Sequence, residues 1–150
     1  MRRQIEKGGA EAQLLVVEDN PGDARLFQEH LSEVDITNPI HHVSTIDAAL
    51  DFVHQRGDYA EEPSPDVVFL DWHLPKGTGD EIVDRLNGEA DTVDVFTVVL
   101  TGSMRDPDSV VPSDLGVDAY LTKPIDTDEL ISLVESSGEL SLVELDSTSR

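Results

Sequence analysis

The chain has 150 residues, enough for one ordinary domain with a real core, and no cysteine, which excludes disulfides, thiolate metal sites and a cysteine nucleophile. Its 32 acidic residues against 10 basic ones give a formal net charge of -22, a field that repels nucleic acid and argues against direct DNA binding. No apolar run approaches the roughly 20 residues needed to span a bilayer, and MRRQIEKGGAEAQ has no apolar segment behind its basic residues, so neither a membrane partner nor a secretory leader is expected and a cytoplasmic location is the simplest reading. Regular apolar runs argue against disorder as the cause of the acidity. It reads instead as the halophilic adaptation of a folded protein, since high salt screens the self-repulsion.

Residues 1–12 are expected to form a flexible N-terminal segment. Residues 13–18 form a continuous apolar run bounded by polar residues, the pattern of a buried strand. Asn20 is placed to cap a helix, with Pro21 at its first position, Asp23 in its first turn, and Ala24, Phe27, Leu31 and Val34 at helical spacing. Asn38-Pro39 breaks the chain before a weaker strand at 40–44 that contains His41 and His42. Thr45 caps a second helix whose Ile46, Ala49, Leu50 and Val53 share one face. After a polar loop over 56–65, a third strand covers 66–72 and a loop with Pro75 covers 73–77. Thr78 and Glu81 make a capping box for a helix through Ile82, Val83 and Leu86. A fourth strand follows at 95–101, then a short or irregular helix interrupted by Pro112, and a fifth strand at 117–122. Asp126 with Glu129 opens the last helix, through Leu130, Ile131 and Val134.

Strands separated by helices imply right-handed crossovers and an α/β, doubly wound parallel sheet. There is no internal repeat and no second domain. The main domain is expected over 13–137. In the tail at 138–150, Leu140, Leu142, Val143 and Leu145 follow no clean period; this segment extends the last helix, adds a sheet edge or makes an intermolecular contact.

In an open parallel sheet, ligands bind outside the carboxyl ends of the strands. Glu18-Asp19, Asp71, Thr101 and Lys123 each stand at such an end. Glu18, Asp19 and Asp71 cannot sit together, all ionised, without a cation. A hard cation such as Mg²⁺ suits one or two carboxylates plus water and phosphate oxygens, so Asp71 is either a third ligand or a nucleophile. Lys123 supplies a point charge suited to a phosphoryl oxygen and Thr101 a hydroxyl donor.

VVEDNPGDARL, VVFLDWHLPKGTGDE, VVLTGS and AYLTKP together resemble the receiver domain of two-component response regulators, over about residues 13–137. The spacings of thirty residues from Asp71 to Thr101 and twenty-two from there to Lys123 suit that family, as does Tyr120 three before Lys123. VEDNPGDARL and LPKGTGDE look most like stand-alone, chemotaxis-regulator-like receivers. The resemblance implies a five-stranded parallel sheet in the flavodoxin-like order 2-1-3-4-5 with helices on both faces. It implies that Asp71 accepts a phosphoryl group from a phosphohistidine of a sensor histidine kinase or phosphotransfer protein. Glu18, Asp19, Asp71 and the backbone carbonyl of His73 would hold Mg²⁺. Lys123 would pair with Asp71 and then with the phosphoryl group, Thr101 would swing to bond it, and Tyr120 would turn inward behind it. Lys123-Pro124 is a candidate cis peptide, common only before proline.

Such a domain catalyses only its own phosphotransfer and dephosphorylation. His73, bulky for its position, and Ser103 flank the site and are candidates for tuning the lifetime of the acyl phosphate. Pro112 departs from the usual fourth helix. No effector domain is expected after the receiver, so output is expected through contact with another protein, by a monomer or a homodimer.

Other readings fit less well. Aspartyl-phosphate hydrolases of the haloacid-dehalogenase type carry a second Asp two positions beyond the nucleophile, where this chain has His73. A constitutive adaptor that has lost switching would not need all five chemical positions intact. A flavodoxin-like cofactor binder lacks its phosphate loop after the first strand. His41, His42 and His73 have no metal-ligand spacing, and adjacent residues of one strand point to opposite faces. Trp72, next to Asp71, should point away from it.

Overall fold

A computed structural model describes residues 2–71, 73–74, 77–78, 95–101, 117–123 and 125–145. Its strands are β1 (Arg2–Lys7), β2 (Ala10–Glu11), β3 (Leu14–Val17), β4 (Ile40–Val43), β5 (Val67–Asp71), β6 (His73–Leu74), β7 (Gly77–Thr78), β8 (Phe96–Thr101), β9 (Ala119–Thr122) and β10 (Leu140–Leu145). The described helices are α1 (Pro21–Glu33), α2 (Ile46–Val53) and α3 (Thr127–Ser136), with a 3₁₀ turn at Gly57–Tyr59.

Five strands form one parallel sheet in the order β4-β3-β5-β8-β9. Numbered along the chain, that is the expected order 2-1-3-4-5. LLVV, VVFLD and FTVVLT are buried along their whole length, because helices cover both sheet faces. Alternate residues serve opposite layers. Leu14, Val16, Val67, Phe69, Val98 and Leu100 pack with Phe27 and Leu31 of α1 and Leu130 and Val134 of α3. Leu15, Val17, Val68 and Leu70 pack with Ile46, Ala49, Leu50 and Val53 of α2. Phe27 and Phe69 lie 4.7 Å apart between ring centroids, locking α1 to the central strand.

The caps stand where the residue types put them. The Asn20 side chain accepts from the backbone N–H of Gly22 and Asp23, Thr45 from Ala48, and Asp126 from Asp128. These bonds satisfy helix N–H groups that have no partner within the helix. The expected loop over 73–77 instead contains a small antiparallel pairing, His73 with Thr78 and Leu74 with Gly77. The expected helix after Thr78, the irregular helix containing Pro112, and Pro124 itself lie outside the described residues.

The first dozen residues are not loose. Strands β1 and β2 form a hairpin, and β10 pairs along the whole of β1, Arg2 with Leu145 through Lys7 with Leu140. The result is a second, antiparallel sheet in the order β10-β1-β2. Three features anchor it. Ile5 is fully buried against the α1 and α3 layer, with Leu140 beside it. Buried Asn38 accepts from the Ile5 N–H at 2.7 Å and donates at 2.8 Å to the carbonyls of both Ile5 and Ala12. The Arg3 guanidinium adds bonds of 3.0 and 2.6 Å to the Val34 carbonyl at the end of α1. The polar look of RRQIEK concealed this strand, since only Ile5 of its side chains is buried. A local cue was present: Gly8 and Gly9 both have positive φ, 65° and 82°, as a two-residue hairpin turn requires.

Asn38→Ala is expected to lower stability by about 2–3 kcal/mol, because it leaves the buried Ile5 N–H and Ala12 carbonyl without Asn38, while the Ile5 carbonyl keeps its bond from the Ala12 N–H. Urea unfolding would measure this; a loss below about 0.5 kcal/mol would mean that the small sheet is not held this way.

Candidate functional site

The small sheet hangs from the amino ends of the parallel strands; the charged residues gather at their carboxyl ends. Strand β3 stops at Val17 and delivers Glu18 and Asp19 directly. Glu18 is held by its backbone: its N–H bonds the Val43 carbonyl at 3.0 Å, and Nε2 of His42 donates to its carbonyl at 2.7 Å. Its side chain is 2% exposed and accepts from the Asn20 N–H at 3.3 Å. Asp71 ends the neighbouring strand and is 6% exposed, whereas Asp19 lies at the surface. Oxygens of Glu18, Asp19 and Asp71 all lie within 4.8 Å of one another.

The counter-charge comes from the far side of the sheet. The backbone N–H of Lys123 bonds the Thr101 carbonyl at 2.7 Å, fixing the end of β9 beside β8. The Lys123 ammonium reaches back across the crevice to Glu18 Oε1 at 2.5 Å, Asp71 Oδ2 at 3.5 Å and Asp23 Oδ2 at 3.6 Å. Thr101 Oγ1 is buried and has no hydrogen-bond partner among the described residues, a costly condition for a hydroxyl. Beside the crevice a cavity of about 310 Å³ opens between α1 and Ile125, its walls including Leu26, Phe27 and Leu100 and its polar end Glu18, Asp23 and Lys123.

Glu18, Asp19, Asp71, Thr101 and Lys123 thus share one sheet edge. Tyr120 lies in β9 with its ring 46% exposed. The backbone of His73 lies in β6, two residues beyond Asp71; its side chain and Ser103 lie outside the described residues. Sequence reasoning assigned no site role to Asp23 or His42. Asp23 carried only a helix-start signal, and His42 meets Glu18 only through the pairing of β3 with β4.

Comparison with known proteins identifies the family and agrees with the fold. The response regulator receiver domain family matches residues 14–135. The chain belongs to this family. Response regulator Rcp1 of Synechocystis sp. is 34% identical over 122 residues, which is 81% of this chain and 83% of Rcp1. The crystal structure of the phosphorylated cyanobacterial phytochrome response regulator RcpA superposes with a TM-score of 0.68 at 31% identity, covering 81% of this chain and 86% of that one. The Mn²⁺-bound form of Rcp1 gives 0.67 at 32% identity, covering 85% and 90%. Receiver domains of this family are phosphorylatable signalling domains. Receiver domains take a divalent metal in an acidic pocket and meet histidine kinases or phosphotransfer proteins. Among the described residues, no helix is long and apolar enough to cross a membrane.

The donor set of this receiver fits a hard divalent cation: three carboxylates, all oxygen donors, two of them buried. Burial, then the hydrogen bond and charge of Asp71, push the Glu18 carboxyl above its ordinary value, against the opposing pull of Lys123. Burial alone would lower the Lys123 ammonium, but the bond to Glu18 and the charges of Asp71, Glu18 and Asp23 leave it raised.

The folded state thus holds the Glu18 proton more tightly than the unfolded chain does. This group's contribution to stability is complete below the ordinary glutamate range and is lost as pH rises through its raised folded value. In metal-free protein, the melting temperature of the native chain should therefore fall more steeply than that of Glu18→Gln as pH rises above the ordinary glutamate range. The same variant should gain less thermal stability from added Mg²⁺ than the native protein does. Calorimetric scans across pH, with and without Mg²⁺, test both; an equal or smaller fall in the native protein would contradict the sign.

Proposed function

We propose that this chain is a response regulator whose Asp71 accepts a phosphoryl group from a phosphohistidine on a sensor histidine kinase or phosphotransfer protein, and which signals by altered contact with an output protein in the cytoplasm. The observation that carries this reading is a buried carboxylate clustered with two others and with a lysine ammonium 3.5 Å away, on the same sheet edge as a buried threonine hydroxyl that has no hydrogen-bond partner among the described residues. Glu18, Asp19 and Asp71, with the backbone carbonyl of His73, would hold Mg²⁺. Bound there, the ion supplies neutralising charge to the carboxylates and to the oxygens of the transferring phosphoryl group.

In the transfer, an oxygen of Asp71 attacks phosphorus, the P–N bond to the donor imidazole breaks, and the imidazole takes up a proton. The product is an acyl phosphate on Asp71, and attack by water returns the carboxylate and inorganic phosphate. A carboxylate is a modest nucleophile, so in-line positioning carries much of the help. The new phosphoryl oxygens accept from Lys123 and from the Thr101 hydroxyl, ending the latter's isolation. Movement of Thr101 leaves room behind it, and the exposed Tyr120 is the ring placed to turn in and fill it. The β8 and β9 region is then the two-state element that alters the partner surface. His73 and Ser103 are the residues placed in sequence to govern access of water to the acyl phosphate. Similarity to RcpA, seen phosphorylated, and to Rcp1, seen with Mn²⁺ bound, supports both halves of this reading.

In high salt with Mg²⁺, the native protein should take up label from a small phosphodonor and bind beryllofluoride, and Asp71→Asn should do neither. A folded native protein that binds neither would overturn the proposal. Thr101→Ala should still be labelled but bind beryllofluoride about tenfold more weakly, the scale of one lost hydrogen bond to a charged group. Isothermal titration measures that difference.

A further inference from the structure

The Lys123 ammonium is claimed by more carboxylates than the phosphoryl chemistry uses. Glu18 and Asp71 belong to the candidate metal group; Asp23 does not, since only Glu18, Asp19 and Asp71 bring their oxygens within 4.8 Å of one another. Yet Asp23 Oδ2 stands 3.6 Å from the Lys123 ammonium, almost the same distance as Asp71 Oδ2 at 3.5 Å. Asp23 is held in that place. It sits in the first turn of α1, its N–H bonded to the Asn20 side chain at 3.2 Å, where the helix dipole favours a negative charge. Its side chain is 50% exposed and lines the same cavity as Lys123 and Glu18.

A cation bound by Glu18 and Asp71 shares their charge and repels the ammonium. Asp23 is then the carboxylate beside Lys123 whose charge is not taken up by the metal. We infer that Asp23 is a positioning residue that acts through Lys123: it holds the ammonium on the α1 side of the crevice and competes with the phosphoryl group for it, favouring the unphosphorylated state. This rests on the reading of Asp71 as phosphoacceptor. On phosphorylation Lys123 exchanges one half-exposed carboxylate for phosphoryl oxygens, so Asp23 limits how readily small phosphodonors alone switch the protein on.

Beryllofluoride titration with saturating Mg²⁺ in 1 M salt tests this, because the Debye length there is only about 3 Å and distant charges are screened while the contact pair is much less so. Asp23→Asn should bind beryllofluoride about threefold more tightly than native, the scale of one exposed ion pair. Asp23→Glu, which keeps the charge, should bind like native. So should Glu29→Gln, which removes an exposed charge from the same helix. An unchanged affinity in Asp23→Asn, or an equal gain in Glu29→Gln, overturns the inference while native binding leaves the phosphoacceptor reading intact. A native protein that binds no beryllofluoride sinks that reading, and the inference with it.

Discussion

The Lys123 ammonium between Glu18 and Asp71 is the contact on which the functional end of the molecule depends. Two carboxylates this deeply buried repel each other and lose most of their hydration, so they can be neighbours only with positive charge between or a proton shared. The structure supplies both remedies: an amine from another strand and a raised affinity of Glu18 for its proton. On the proposed reading, the negative charge left over is what a divalent cation would neutralise before a phosphoryl group arrives. Lys123 in turn depends on the whole sheet, because it reaches Glu18 across β5 and β8, from a residue 105 positions away in sequence.

At the opposite end, the chain closes on itself. Strands β1 and β10 bring the two ends of the described chain into one antiparallel sheet, and Ile5 joins the same apolar layer as Phe27, Leu130 and Val134. That layer is also the one behind the cavity beside the site, where Phe27 and Leu100 form walls. The terminal sheet therefore stabilises the layer that positions α1, and α1 carries Asp23 toward Lys123. Packing rather than direct contact couples the two ends.

Much of this was legible in advance because it is local. LLVV, VVFLD and FTVVLT announce doubly covered strands, since only burial on both faces tolerates uninterrupted apolar residues. Asn20-Pro21, Thr45 and Asp126 announce helix starts through their ability to accept backbone N–H bonds. Strand ends follow from both, and with them the edge on which Glu18, Asp71, Thr101 and Lys123 stand. The first dozen residues were misjudged because β1 keeps a single buried residue and finds its partner at the other end of the chain, which no local pattern encodes.

The amino-acid sequence by itself determined the layer architecture, the caps and the residue types at the functional edge, all consequences of periodicity and short-range hydrogen bonding. Only the tertiary structure decided how the single ammonium of Lys123 is divided among Glu18, Asp71 and Asp23, and that the Thr101 hydroxyl is buried with no partner among the described residues. Those outcomes depend on distances of a few ångströms between groups on different strands and helices. Such distances are set by how the layers pack, not by spacing along the chain.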